Sequence, residues 1–320
     1  LLPRAELAAL SAVPDLATLA ARLRDLGFPV LEAAEPGAAS LELAVRRRAA
    51  AALAILQHWT ARRPELVPVL YDEEDRRSVR ALLRGAVERA PVEQRLAGLV
   101  PTPSLPERAL EELARAPTPA AVAALLVAWQ HAYGPALAAR ARSPQPDLYA
   151  LELALGRAAA ARLSAVARRV RGLLAAFIQE SIDLENALAA VALASVPADV
   201  TPGDTFLSGG RRLSREAFER AVAARDPATA ADRVAKAFGG PVAVALREHR
   251  QDLAALEDAV LRARNAALEQ LARREPLGPA PLLAFALALR AQALDLHRVI
   301  WGVALGAPAA LMARELVTAA

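Results

Sequence analysis

The chain has 320 residues, 55% of them hydrophobic; its wealth of Ala and Leu, with few β-branched runs, reads as all-α. The lack of Cys excludes disulfide staples and thiolate metal sites, and no apolar run reaches the roughly 18 residues that span a bilayer. Basic residues, nearly all Arg, alternate with Asp and Glu to a net charge of +4; aromatics make up 4% and do not interleave with them, so a nucleic-acid groove is not expected.

The opening Leu1-Leu2-Pro3 runs into a short amphipathic helix without the pattern of a secretory leader, and lacks an initiator Met, as a trimmed chain would. Pro14-Asp15 breaks this helix. Leu16, Leu19, Leu23 and Leu26 line the next one at spacings of three and four, and Gly27-Phe28-Pro29 closes it. After Pro36-Gly37, Ser40 is the expected N-cap of a long helix carrying Leu41 to Trp59, and Pro64 and Pro68 mark the next connection. Tyr71 to Arg84 forms another helix, with its acids in the first turn and Arg later, as the helix dipole prefers. Asp72 and Asp75 share a face there. They could pair on magnesium, but four nearby Arg compete for them, and an acidic helix start is the preferred reading.

The same order then returns. Ser104-Leu105-Pro106-Glu107 reads as an N-cap with proline in the first turn, opening a helix from Glu107 to Arg115. Pro117-Thr118-Pro119 breaks it, Ala120 to Tyr133 follows, and Pro144-Gln145-Pro146 is a loop. A long helix from Leu148 is expected to run through Arg168, Arg169, Arg171 and Phe177. Trp129 and His131 read as packing at a helix end. None of the four His has an i, i+4 partner of the kind that signals zinc. In Gln179 to Ala187, Asp183 and Asn186 lie one turn apart on an apolar helix, the pattern of a hydrogen-bond network bracing neighbouring helices.

Thr205 to Ser214 contains Gly209-Gly210-Arg211-Arg212. This could cradle a phosphate, but without P-loop spacing or a following Lys-Ser/Thr it reads as a tight turn into a capped helix, Ser214 to Ala224. Asp226-Pro227, Gly240-Pro241, a long helix from Leu253, and Gln292 to Arg298 complete a third pass. The motif Leu-Glu-x-Ala-Val/Leu-x-Arg starts at residues 41, 151 and 256, and Gly27-Phe28-Pro29, Gly134-Pro135 and Gly240-Pro241, each expected to close a helical stretch, put prolines at 29, 135 and 241. Landmarks in one order at one period divide the chain into helical repeats at 1–98, 99–204 and 205–320.

Asp183-x-x-Asn186, then Phe206-Leu-x-Gly209-Gly210 and a helix bearing Phe218, resembles the C subunit of V/A-type rotary ATPases, called subunit d in eukaryotic complexes. Asp75 to Arg84 resembles that family's first-repeat helix, and Gln292 to Pro308 its last repeat. Ser78 stands where the family has Asn, Gln292 and Asp295 where it has Glu and Asn, and His297 where it has Arg. The resemblance is expected to cover essentially the whole chain apart from the family's first short helical segment.

The resemblance implies three pseudo-threefold-related helical bundles forming a funnel-shaped body. It implies a non-catalytic rotor adaptor that couples the central stalk, subunits D and F, to the proteolipid ring of a proton- or sodium-translocating ATPase or ATP synthase. It implies a peripheral place on the cytoplasmic face of the membrane, with membrane contact only through the complex, and no cofactor, no metal and no nucleic acid. Asp75, Asp183, Asn186, Phe206, Gly209, Gly210 and Asp295 would be signature residues, and Arg211 and Arg212 partner contacts. The competing reading is an all-α isoprenoid-synthase-like enzyme using Asp72, Asp75 and Asp183 to hold magnesium and diphosphate. A third is a helical scaffold unrelated to ATPases.

Overall fold

A computed structural model describes residues 1–32, 35–142, 147–196 and 202–318, of which Trp59 and Pro202 are described by backbone alone. The described residues form α-helices joined by turns, with no strand, as the composition predicts. The loop expected at Pro144-Gln145-Pro146 lies outside them.

In chain order the helices are α1 (Arg4–Ser11), α2 (Leu16–Asp25), α3 (Ala38–Thr60), α4 (Val67–Leu70), α5 (Asp72–Glu88) and α6 (Val92–Leu96). Then come α7 (Glu107–Arg115), α8 (Pro119–Ala128), α9 (Gly134–Ala141), α10 (Leu148–Ala167), α11 (Gly172–Leu193) and α12 (Pro202–Thr205). The last are α13 (Arg215–Val222), α14 (Pro227–Ala235), α15 (Gly240–Glu248), α16 (Leu253–Arg274), α17 (Ala280–Ala304) and α18 (Ala309–Arg314). None of the described helices is long and apolar enough to cross a membrane.

The proline breaks do double duty. Asp15, Thr118 and Asp226 each accept a hydrogen bond from the N–H three residues on, capping α2, α8 and α14. Ser214 caps α13 in the same way, as expected. The other two expected caps are corrected. Ser40 lies inside α3, which starts at Ala38, and its hydroxyl donates back to the Gly37 carbonyl at 2.7 Å. Ser104 is two residues before Pro106, the N-cap of α7, and its hydroxyl turns instead to Asp75.

The long helix expected to pass through Arg171 is also corrected. It ends at Ala167, and Gly172, at φ +66°, opens α11 in a conformation that a side chain would strain. Gly134-Pro135 and Gly240-Pro241 do not close the preceding helices but open α9 and α15. Pro fits there because the first helical turn leaves its N–H groups unused.

The chain divides into two compact units, Leu1–Leu155 with Phe285–Ala320, and Gly156–Ala284. In the first, α1 packs on α18, and α5 on α6, α7 and α8. Leu7, Leu10, Leu82, Leu83, Leu110 and Leu126 are fully buried there. In the second, α11, α13, α14, α15 and α16 share a core around Phe218, with Leu184, Ala187, Ala190, Ala230, Ala231 and Leu246 buried beside it. Alanine on α14 lets that helix sit close to α11, so dispersion contacts accumulate over little side-chain volume. The recurring motif has a packing role: Leu41, Leu151 and Leu256 are each fully buried near the start of a long helix.

Candidate functional site

Asp183 is fully buried on α11, among otherwise apolar neighbours. Such a carboxylate is stable only where donors replace its water. The N–H groups of Arg211 and Arg212 donate to Oδ2 at 2.9 Å each, and that of Leu213 donates to Oδ1 at 3.2 Å. One turn further along α11, Asn186 pairs with Leu207 as a strand would: Nδ2 donates to the Leu207 carbonyl at 2.9 Å, and Oδ1 accepts its N–H at 2.8 Å. The pair therefore braces the turn leading into α13, a correction to the expectation that it braces neighbouring helices.

The two glycines make this grip possible. Gly209 sits at φ +118°, and a Cβ there would collide with the Ser164 hydroxyl; a Cβ on Gly210 would collide with Asp183 Oδ1. Phe206, half-buried, stands edge-on to Phe218 at 5.5 Å between ring centroids, with the Arg215 guanidinium over its face. Arg211 and Arg212 lend their backbone to Asp183 and leave their side chains exposed; Arg212 lies 3.8 Å from Glu180.

Asp75, on α5, holds the corresponding turn with hydroxyls in place of N–H groups. Thr102 Oγ1 donates to its Oδ1 at 2.5 Å, Ser104 Oγ donates to Oδ2, and Thr102 in turn accepts the Leu105 N–H. His131, read from the sequence as packing at a helix end, also faces this carboxylate: its Nε2 lies 3.4 Å from Asp75 Oδ2, while Nδ1 accepts the Tyr133 N–H. That acceptor role puts the neutral ring's proton on Nε2, directed at the carboxylate. The Tyr133 hydroxyl donates to the Asp72 carbonyl, and burial, reinforced by Asp72, Glu73 and Asp75, pushes its phenol up.

At the far end of the first unit, Asp295 on α17 accepts the N–H groups of Val317 and Thr318 at 2.6 and 2.8 Å. Burial pushes its carboxyl up, against the opposing pull of Thr318, Val317 and Arg298. Gln292, one turn earlier, accepts the Leu2 N–H at 2.5 Å. The Arg4 guanidinium ties α1 to the carbonyls of Ala313, Leu316 and Thr318. His297 Nδ1 meets Glu42 Oε1 at 2.5 Å, and the Gly98 N–H donates to the other Glu42 oxygen.

On the outer turn of α5, burial would raise the Glu73 carboxyl, but Arg76 and Arg77 hold it well below the usual carboxylate range. Arg290, facing the same cluster, is lowered to about 10 by burial and by Arg77.

Two of the three carboxylates that a magnesium–diphosphate enzyme would use are thus engaged with their own chain. Asp183 accepts three N–H groups, and Asp75 two hydroxyls. Among the described residues, no three His, Asp or Glu side chains are grouped as a metal ion would require. Every polar signature residue holds backbone or a hydroxyl.

Comparison with curated proteins gave no match. A family model described as ATP synthase (C/AC39) subunit matches residues 1–314, and the chain accordingly belongs to this family of V/A-type ATP synthase subunits, which includes eukaryotic subunit d.

Proposed function

We propose that this subunit is a non-catalytic rotor adaptor, built of three helical repeats at 1–98, 99–204 and 205–320, that couples the central stalk to the proteolipid ring on the cytoplasmic face of the membrane. The observation that carries the reading is a polar clasp made three times. Asp75 holds the segment entering α7, Asp183 that entering α13, and Gln292 that entering α1. The clasp thus runs from first repeat to second, from second to third, and from third back to first. The partner residue one turn on follows suit: Asn186 holds Leu207, and Asp295 holds Val317.

A torque-bearing part needs this kind of construction. Densely packed helices resist deformation, and buried polar clasps fix each junction in one geometry that apolar packing alone would leave free to slide. Arg211 and Arg212 suit a partner contact because their side chains are exposed while their backbone is anchored. The stalk subunits D and F and the ring are the partners proposed.

The test is co-purification of the full chain with the host's membrane fraction and soluble stalk proteins, at low and high salt. Recovery of ring and stalk subunits is expected. A chain that captures neither, under conditions in which the rest of the complex assembles, would overturn the reading.

A further inference from the structure

The turns joining long helices share a composition that the clasps do not explain. Arg62-Arg63-Pro64-Glu65-Leu66 follows α3, Arg168-Arg169-Val170-Arg171-Gly172 joins α10 to α11, and Arg273-Arg274, the last residues of α16, lead through Glu275-Pro276-Leu277 towards α17. All seven arginines are exposed, and none makes an ion pair with a described residue.

In the second unit, two of these turns lie at one end. The Arg264 guanidinium on α16 stacks over Phe177 of α11 at 4.6 Å and donates to Ser181, while Leu256, Ala259 and Val260, earlier on α16, share a core with Leu184 to Ala194, later on α11. The two helices therefore run antiparallel. The end of α16, about three turns beyond Arg264, therefore runs about a turn and a half past the start of α11, which lies about a turn and a half before Phe177. Arg168, Arg169, Arg171, Arg273 and Arg274 thus crowd one end, and Leu277 projects from it 92% exposed. A cation at a helix C-terminus complements the helix dipole, but that asks for one charge within the last turn. It accounts neither for arginines beyond the end of α10 nor for a Leu left wholly in water.

We propose that this end of the second unit docks on an anionic bilayer surface, with the guanidinium groups on lipid phosphates and Leu277 in the boundary between headgroups and acyl chains. The planar guanidinium matches phosphate in bidentate fashion, and a cluster of them near a negative membrane surface adds attraction residue by residue. The exposed Leu decides between possible occupants. An acidic protein segment would satisfy the charges and gain nothing from an isolated protruding side chain, whereas an interfacial site uses both.

The inference is independent of the adaptor reading and is tested without ring or stalk. Full-length chain is sedimented with phosphatidylcholine vesicles, with and without phosphatidylglycerol, at low and high salt. Binding is expected only with phosphatidylglycerol, and is expected to fall as salt rises. Replacing all five arginines by Gln should weaken it by about a hundredfold or more. Leu277→Ser should weaken it with the salt dependence unchanged.

The double variant Arg273→Gln/Arg274→Gln is the safeguard should the fivefold one misfold. It is paired with Arg22→Gln/Arg24→Gln, equal in charge and exposed on α2, which should bind as the parent does. Three results would overturn the proposal. One is no preference for phosphatidylglycerol. Another is equal loss in the two double variants. The third is a chain that binds neither kind of vesicle at low salt.

Discussion

Replacing Asp183 with Ala strands the N–H groups of Arg211, Arg212 and Leu213 where Asp183 now buries them, and each unmet donor carries a desolvation cost. The expected loss is about 3 kcal/mol of folding stability, read from urea midpoints, with Asp183→Asn intermediate because an amide oxygen still accepts. A loss within a few tenths of a kcal/mol would contradict the grip. Asp295 carries a pH signature of known sign. Its carboxyl is raised, so the folded chain binds the proton more tightly than the unfolded one. The stability it contributes is full below its ordinary value of 3.8 and is lost as pH rises through the raised value. Compared with Asp295→Asn across that window, the parent should lose ground steadily as pH increases; a constant gap would rule this out. Asp183 and Asn186 were legible in the sequence because a polar pair on an apolar helix must be satisfied. The partners of Asp75 were not. Thr102, Ser104 and His131 reach Asp75 across tens of residues, a proximity that no local pattern encodes.

At the scale of elements, punctuation was the readable part. Pro14, Pro119 and Pro227 fall where helices break, and the capping residues beside them follow from the unmet N–H groups of a first turn. Thr118→Ala should therefore cost about 1 kcal/mol in thermal or urea unfolding, and Thr118→Ser should restore most of it. What misled was the choice between equally good local signals. Ser40 and Ser104 both resemble caps, but Gly37 and Pro106 set the actual starts, and each hydroxyl found another acceptor. The break at Gly172 was hidden because Arg168 to Phe177 keeps strong helix formers on both sides, and only a positive φ marks the turn.

For the whole molecule, the all-α class was legible from composition and the family from its pattern of residues, with which the match over residues 1–314 agrees. The contacts a partner makes cannot be written in such a pattern, because a repeat describes what its members share, whereas a partner surface can belong to one of them. Arg211→Ala/Arg212→Ala tests that directly. The Asp183 clasp uses only backbone at both positions, so folding should survive while recovery of stalk or ring subunits drops severalfold; full recovery would remove these two from the interface.

The clasps also bear on hydrogen exchange. Amides in connecting turns ordinarily trade their protons with water within seconds, since nothing holds them. The N–H groups of Leu207, Arg211, Arg212 and Leu213 are instead bonded to side chains buried on α11. They should exchange only when the second unit opens, at the rate of its core helices and far more slowly than their irregular backbone would lead one to expect. In Asp183→Ala, the last three should speed up together while Leu207, held by Asn186, lags behind. Mass-spectrometric exchange over this peptide would then separate the two halves of the clasp.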